Sequence, residues 1–203
     1  MHRLPVGDDA RRAAVLILFG VLDDLPSDRD AQDAAVSADL DVLLLARATT
    51  LRSHPGQIAF PGGRAEAGDD GPAATALREA REETGLDTAG VEVLGALGDV
   101  PLARSAHLVT PVLGWWRRPS PVGVVDVAES ADVFRVPVAD LLDPANRGVT
   151  VLHAGGQEWR GPAFRVGDGG VLWGFTAVLL NGIFDGLGWT EPWDASRELP
   201  LPS

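Results

Sequence analysis

Glu79, Glu82 and Glu83 stand close together in the segment Thr75-Ala76-Leu77-Arg78-Glu79-Ala80-Arg81-Glu82-Glu83-Thr84-Gly85-Leu86. On a helix, positions i, i+3 and i+4 are neighbours, so the three carboxylates form one narrow stripe. Like charges so placed destabilise a helix by about 0.2–0.5 kcal/mol per pair. Arg78, four residues before Glu82, offsets part of this. A divalent cation would offset far more, because Mg²⁺ and Mn²⁺ prefer hard oxygen ligands. The helix alone leaves two readings open: a solvated acidic face with ordinary i,i+4 pairing, or a cation site.

Absences narrow the chemistry. The chain has no cysteine and no tyrosine, and all 17 of its basic residues are arginine. Thiolate nucleophiles, thiolate metal sites, a phenolic acid or base, Schiff bases and a phosphate-loop lysine are therefore excluded. Asp, Glu, four His, Ser, Thr and a bound metal remain. The formal charge of −12 repels nucleic acid and anionic membrane surfaces on average, and neither is an expected partner. It does not exclude a phosphate-bearing substrate, since a divalent cation inverts the local sign.

The elements that must carry these residues follow from pattern. At 203 residues and 45% apolar, the chain has the length of one domain, expected to span 1–203 with a core at about 13–187. Ala14 to Gly20 and Asp39 to Ala48 read as buried strands flanking an acidic loop. Ala13 to Leu22 is too short to span a bilayer and lacks a signal-peptide cleavage pattern. With no targeting signal, the expected location is the cytoplasm. Ile58-Ala59-Phe60 is a short strand in an otherwise loop-like stretch. Pro72 and Gly85 suit the start and stop of a helix whose face Ala73, Ala76, Leu77, Ala80 and Thr84 packs on a sheet.

Val91 to Val100 and His107 to Trp116 are expected strands. Phe134 to Val138 is a strand leading into a short helix to Leu142, and Val149 to His153 with Glu158 to Arg165 form a hairpin. The last helix is expected over Leu172 to Leu187, with Trp173 inside it. The predicted class is α/β (α+β), a mixed β-sheet sandwiched between α-helices.

Gly63, Asp69, Arg78, Glu79, Ala80, Glu82, Glu83, Gly85 and Leu86 resemble the Nudix box. That pattern is Gly, five residues, Glu, seven residues, then Arg-Glu-aliphatic-x-Glu-Glu-x-Gly-aliphatic. Here Asp69 replaces the first Glu, and eight residues separate it from Arg78. The resemblance implies a Nudix fold and Mg²⁺- or Mn²⁺-dependent hydrolysis of a nucleoside diphosphate derivative. It also implies that Glu79, Glu82, Glu83 and the Gly62 carbonyl are metal ligands, with Arg78 orienting the glutamates. Glu129 is a candidate fourth carboxylate from a later loop, or a solvated acid.

Leu51-Arg52-Ser53-His54-Pro55-Gly56, followed by Phe60-Pro61-Gly62-Gly63, is similar to the signature of coenzyme A pyrophosphatases. This narrower resemblance implies coenzyme A or an acyl-coenzyme A as substrate, cleaved to 3′,5′-ADP and 4′-phosphopantetheine. Arg47, Arg52, His54 and Gly63 are the expected substrate-binding residues, the arginines as bidentate phosphate donors. The alternatives are hydrolysis of another nucleotide such as ADP-ribose, or a nucleotide-sensing module; the latter is opposed by the presence of all three box glutamates. His107 and His153 read as structural. The six tryptophans suit a core or a homodimer interface.

Overall fold

Ala14, Leu16 and Leu18 point to one side of a sheet while Val15, Ile17 and Phe19 point to the other, and both sides are covered. A strand alternates faces every residue, so burial on both faces requires an unbroken apolar run. The computed structural model describes residues 11–21, 39–51, 55–102, 106–154, 156–167 and 169–201. The acidic loop expected after the first strand lies outside them, except for Asp39.

Strand β1 (Arg11–Val21) is central. β2 (Leu40–Arg47) pairs with it antiparallel only from Phe19↔Val42 to Val21↔Leu40. The two strands then diverge, and the gap takes two short strands. β3 (Ile58–Ala59) pairs with β2 at Leu45 and Ala46, and β4 (Gly62–Arg64) pairs with β1 at Ala13 to Val15. Helix α1 (Gly71–Thr84) follows directly.

A short 3₁₀ turn (Thr88–Gly90) leads to β5 (Val91–Ala96) and β6 (Val100–Leu102). Both pair antiparallel with β7 (His107–Trp116), which runs parallel to β1 from Arg11↔His107 to Phe19↔Trp115. β8 (Ser130–Pro137) closes the other edge of β2 and continues into α2 (Val138–Leu142). A second, antiparallel sheet holds β9 (Arg147–Ala154), β10 (Gln157–Val166) and β11 (Gly170–Leu172), and α3 (Gly174–Gly186) completes the elements.

Two cores result. Ala76, Ala80 and Leu86 pack with Ala14, Leu16, Leu18, Leu43, Val112 and Trp116 on the α1 face. On the opposite face, Ile17, Val42 and Leu44 pack with Leu141, Phe164, Leu180 and Phe184. This is the expected mixed sheet between helices. Among the described residues no helix is long and apolar enough to cross a membrane.

Three expectations are corrected. The last helix starts at Gly174, not Leu172, because Leu172 pairs with Phe164 in the second sheet and Gly174 turns the chain at φ 68°. Trp173 is therefore not within the helix; it precedes it and packs on Ala163, Val171 and Leu199. Val91 to Val100 is two strands: Pro111 in β7 accepts from the Leu97 N–H but has no N–H to return, and the ladder lapses there. Finally, Gly62–Arg64 is a strand that the loop-like composition hid.

At the end of β2 remote from the gap, Asp41 is 1% exposed. Arg135 of β8 donates from Nη2 to Asp41 Oδ1 (2.9 Å) and to the Val21 carbonyl (3.0 Å), tying β8, β2 and β1 together. Its guanidinium also lies 4.7 Å from the Trp116 ring centroid. Burial outweighs Arg135 and pushes the Asp41 carboxyl up from 3.8 to about 6. The folded protein thus holds this proton more tightly than the unfolded chain, so Asp41 lowers stability as pH rises from about 4 to about 6. Denaturant melts of Asp41→Asn and the parent over that range should show the variant gaining roughly 2–3 kcal/mol relative to the parent. A difference that does not vary with pH would show Asp41 ionised throughout.

Candidate active site

The helix that carries the glutamates sits close to the sheet because its inner face is small. Thr75, Ala76, Ala80 and Thr84 are its buried residues, while Leu77 is half-buried. Pro72 occupies the first turn, and Gly85 ends the helix in the left-handed conformation (φ 70°), donating its N–H to the Arg81 carbonyl. Arg81 is exposed.

The three glutamates are graded by depth. The Glu82 side chain is 52% exposed and that of Glu79 is 17% exposed. Glu83 is half-buried, and its Oε2 accepts the Gly62 N–H at 2.8 Å. Gly62 is free to donate because the neighbouring Leu16 N–H bonds to Pro61, which leaves the Gly62 N–H and carbonyl turned away from β1. Burial, then the nearby charges of Glu79 and Glu129, push the Glu83 carboxyl up to about 7, against the lowering effects of the Gly62 N–H and Arg47. Burial likewise raises Glu79, with Arg78 opposing it.

Arg78 organises the outer side of this stripe. Its Nη1 lies 3.0 Å from Glu82 and 3.2 Å from Glu79. Nε and Nη2 donate to the two Asp69 oxygens at 3.0 and 3.1 Å, and Nη2 also donates to the Arg64 carbonyl at 2.8 Å. Asp69 in turn accepts the Glu66 N–H and the Thr75 hydroxyl, both at 2.9 Å. Arg78 above all, with those two donors, holds the Asp69 carboxyl well below the usual range. The extra residue between Asp69 and Arg78 does not separate them. Asp69 fixes the arginine that faces the glutamates, a contact that sequence spacing did not reveal.

From the other side of the gap come Arg47 and Glu129. Arg47 ends β2, and the Ala48 N–H donates to the Glu129 carbonyl (2.9 Å). Both charges act on Glu83, Arg47 lowering its carboxyl and Glu129 raising it. Glu129 is exposed. The structure therefore brings Glu79, Glu82, Glu83, Arg78, Gly62, Gly63, Arg47 and Glu129 to one place. Arg52 and His54 lie outside the described residues; the Gly56 N–H, just beyond them, bonds to the Arg47 carbonyl.

Asp126 and Asp132 accept N–H bonds from Ala128 and Val133, and His153, which read as structural, is exposed on β9. A recess of about 730 Å³ lined by Gly90, Glu92, Arg117 and Arg118 lies past the far end of β7 and contains none of the expected site residues.

Among the described residues no three acidic or imidazole side chains converge as a ready-made metal shell. Glu79 and Glu82 share Arg78, and Glu83 is bonded to Gly62. The donor set nonetheless fits a hard divalent cation. It is made of carboxylates, two of them raised by burial, beside a glycine whose missing side chain makes room. A Cβ on Gly63 would overlap the Glu79 carboxylate.

Comparison with known proteins bears on the whole arrangement. The NUDIX domain model matches residues 28–150. A protein of Photorhabdus laumondii subsp. laumondii, called uncharacterized Nudix hydrolase NudL, is 39% identical over 144 residues, covering 69% of this chain and 73% of the relative. A protein of the same name from Yersinia pestis is 34% identical over 140 residues, 69% of each chain. A crystal structure of a MutT/nudix family protein from Enterococcus faecalis is 16% identical, with a TM-score of 0.48 over 92% of this chain and 64% of that one.

The two glycines separate structure from function. A Cβ on Gly62 would overlap the Ala14 carbonyl oxygen and Val15, both of the central strand. Gly62→Ala should therefore cost about 1–3 kcal/mol in a denaturant melt. A Cβ on Gly63 meets first the end of the Glu79 side chain rather than backbone. Gly63→Ala should melt within a few degrees of the parent yet lose Mn²⁺ affinity by roughly tenfold. Equal effects of both variants on stability would contradict this division.

Proposed function

Because the chain belongs to the Nudix domain family, we propose that it hydrolyses the diphosphate of coenzyme A or an acyl-coenzyme A to 3′,5′-ADP and 4′-phosphopantetheine, using Mg²⁺ or Mn²⁺. Nudix hydrolases act on nucleoside diphosphate derivatives with such ions. The narrower reading is carried by the Arg52 and His54 signature, and the place of Arg47 supports a phosphate site beside it. This arginine leads into the Leu51–Gly63 signature and acts on Glu83 from across the gap, where a phosphate bound to the site would meet it.

In this reading Glu79, Glu82, Glu83 and the Gly62 carbonyl hold the cation. Bound there, it neutralises charge on the diphosphate and lowers the pKa of water. Asp69 and the Arg64 carbonyl keep Arg78 in place, so that Arg78 limits where Glu79 and Glu82 can swing. Arg47 presents two N–H donors to a phosphate, a fork that lysine could not supply. Glu129, exposed at the rim, is the candidate to take the proton from the attacking water. Arg52 and His54 are the proposed contacts to the rest of the substrate, including the 3′-phosphate that distinguishes coenzyme A. The cytoplasm is the proposed location.

The test is product identification by mass after incubation with coenzyme A and either metal, beside EDTA and Glu83→Gln controls. Metal-dependent release of 3′,5′-ADP and 4′-phosphopantetheine is expected, with a loss on the order of a hundredfold in kcat for Glu83→Gln. Arg52→Ala should impair coenzyme A turnover more than ADP-ribose turnover. Cleavage of ADP-ribose but not of coenzyme A would overturn the substrate assignment and keep the hydrolase.

A further inference from the structure

Arg47 has an inner side as well as an outer one. Its Nε is buried and has no hydrogen-bond partner among the described residues. Directly opposite, on β8, Ser130 is 1% exposed, and its Oγ is also buried without a partner. A buried donor and a buried hydroxyl left unpaired each carry a desolvation cost, so two facing one another need a common explanation.

The local irregularity of the sheet supplies one. Leu45 pairs with Val133 and Ala46 with Asp132, but Arg47 pairs with Ser130, so Ala131 is an extra residue in β8. Leu43 and Val133 pack on the α1 face, whereas Val42 and Leu44 pack on the opposite face. By alternation Arg47 faces α1 too. Without the extra residue, Ala131 would oppose it; the bulge turns Ser130 there instead and leaves Ala131 exposed. Directly opposed residues have Cβ atoms only about 4.5–5.5 Å apart. The turn before β8 fixes this placement, since the Ser130 and Glu129 N–H groups both donate to the Asp126 carbonyl, at 3.0 and 3.1 Å.

We infer that Ser130 is a positioning residue for Arg47: its hydroxyl engages Nε, directly or through one bridging water, and so fixes the plane in which the guanidinium presents its outer edge to a substrate phosphate. A guanidinium held at Nε keeps both terminal nitrogens free for one bidentate contact. The inference rests on reading Arg47 as a substrate residue. Ser130 itself touches no substrate.

The test is steady-state kinetics of Ser130→Ala, Ser130→Val and Ser130→Thr in the full chain, with and without Arg47→Ala, using coenzyme A and ADP-ribose. Ser130→Ala and Ser130→Val should raise KM roughly three- to tenfold with kcat within about twofold. Ser130→Thr, which keeps the hydroxyl, should restore the parent value. In the Arg47→Ala background, removal of the hydroxyl should change nothing further. Unchanged KM in Ser130→Ala, or the same loss with and without Arg47, would overturn the inference. If Arg47→Ala itself leaves KM unchanged for both substrates, the reading of Arg47 has failed, an outcome the single Arg47 variant identifies separately.

Discussion

Two carboxylates that repel each other are held half-buried against a sheet, and the architecture around them is an answer to that repulsion. Glu79 and Glu83 are each raised by burial, and Glu83 is raised further by Glu79 and Glu129. Their positions follow from Ala76 and Ala80, which let α1 lie close to β1, from Gly63, whose missing side chain leaves room for Glu79, and from Gly62, whose N–H meets Glu83. Each glutamate has a counterweight: the Gly62 N–H and Arg47 for Glu83, and Arg78 for Glu79 and Glu82. None of these neutralises the site. Groups that would be cheaper to expose are kept together at a net cost, and functional sites characteristically hold groups in this way.

The divergence of β1 and β2 creates the place where this happens. At one end the strands are paired and locked by Asp41, Arg135 and the Val21 carbonyl. At the other they part, and β3 and β4 fill the space, with Gly62 and Gly63 of β4 against Glu83 and Glu79 of α1. Arg47 and Glu129 come from one side of the opening, the glutamate stripe from the other. A ligand in the opening would touch both sides at once.

The sequence was most legible where a single period governs the outcome. The i, i+3, i+4 spacing set the glutamate stripe and the Arg78–Glu82 pair, and unbroken apolar runs marked β1 and β2. It was least legible where the deciding contact is distant or geometric. Asp69 meets Arg78 because the turn before α1 is folded back and held by the Glu66 N–H and the Thr75 hydroxyl on Asp69, which no periodicity encodes. The last helix was read as starting two residues early because apolar Leu172 belongs to a strand defined by Phe164, and Gly174 is the break. Arg147 is another such case. It is 1% exposed and lies about 5 Å from the ring centroids of Phe164 and Trp193, a burial that an arginine in a sequence never announces. Ser130 went unnoticed because a β-bulge, invisible in sequence, decides which way it faces.

The most direct test of the account is Mn²⁺ binding to the metal-free protein, followed by calorimetry or by the loss of the free-ion electron paramagnetic resonance signal. The parent and Glu92→Gln, whose glutamate in β5 pairs with Arg117 just past β7, should bind the ion alike. Glu79→Gln and Glu83→Gln should bind it at least roughly tenfold more weakly while melting no lower than the parent. Equal affinity in all four proteins would show that the stripe is an acidic face and that the repulsion at the centre of this structure serves no cation.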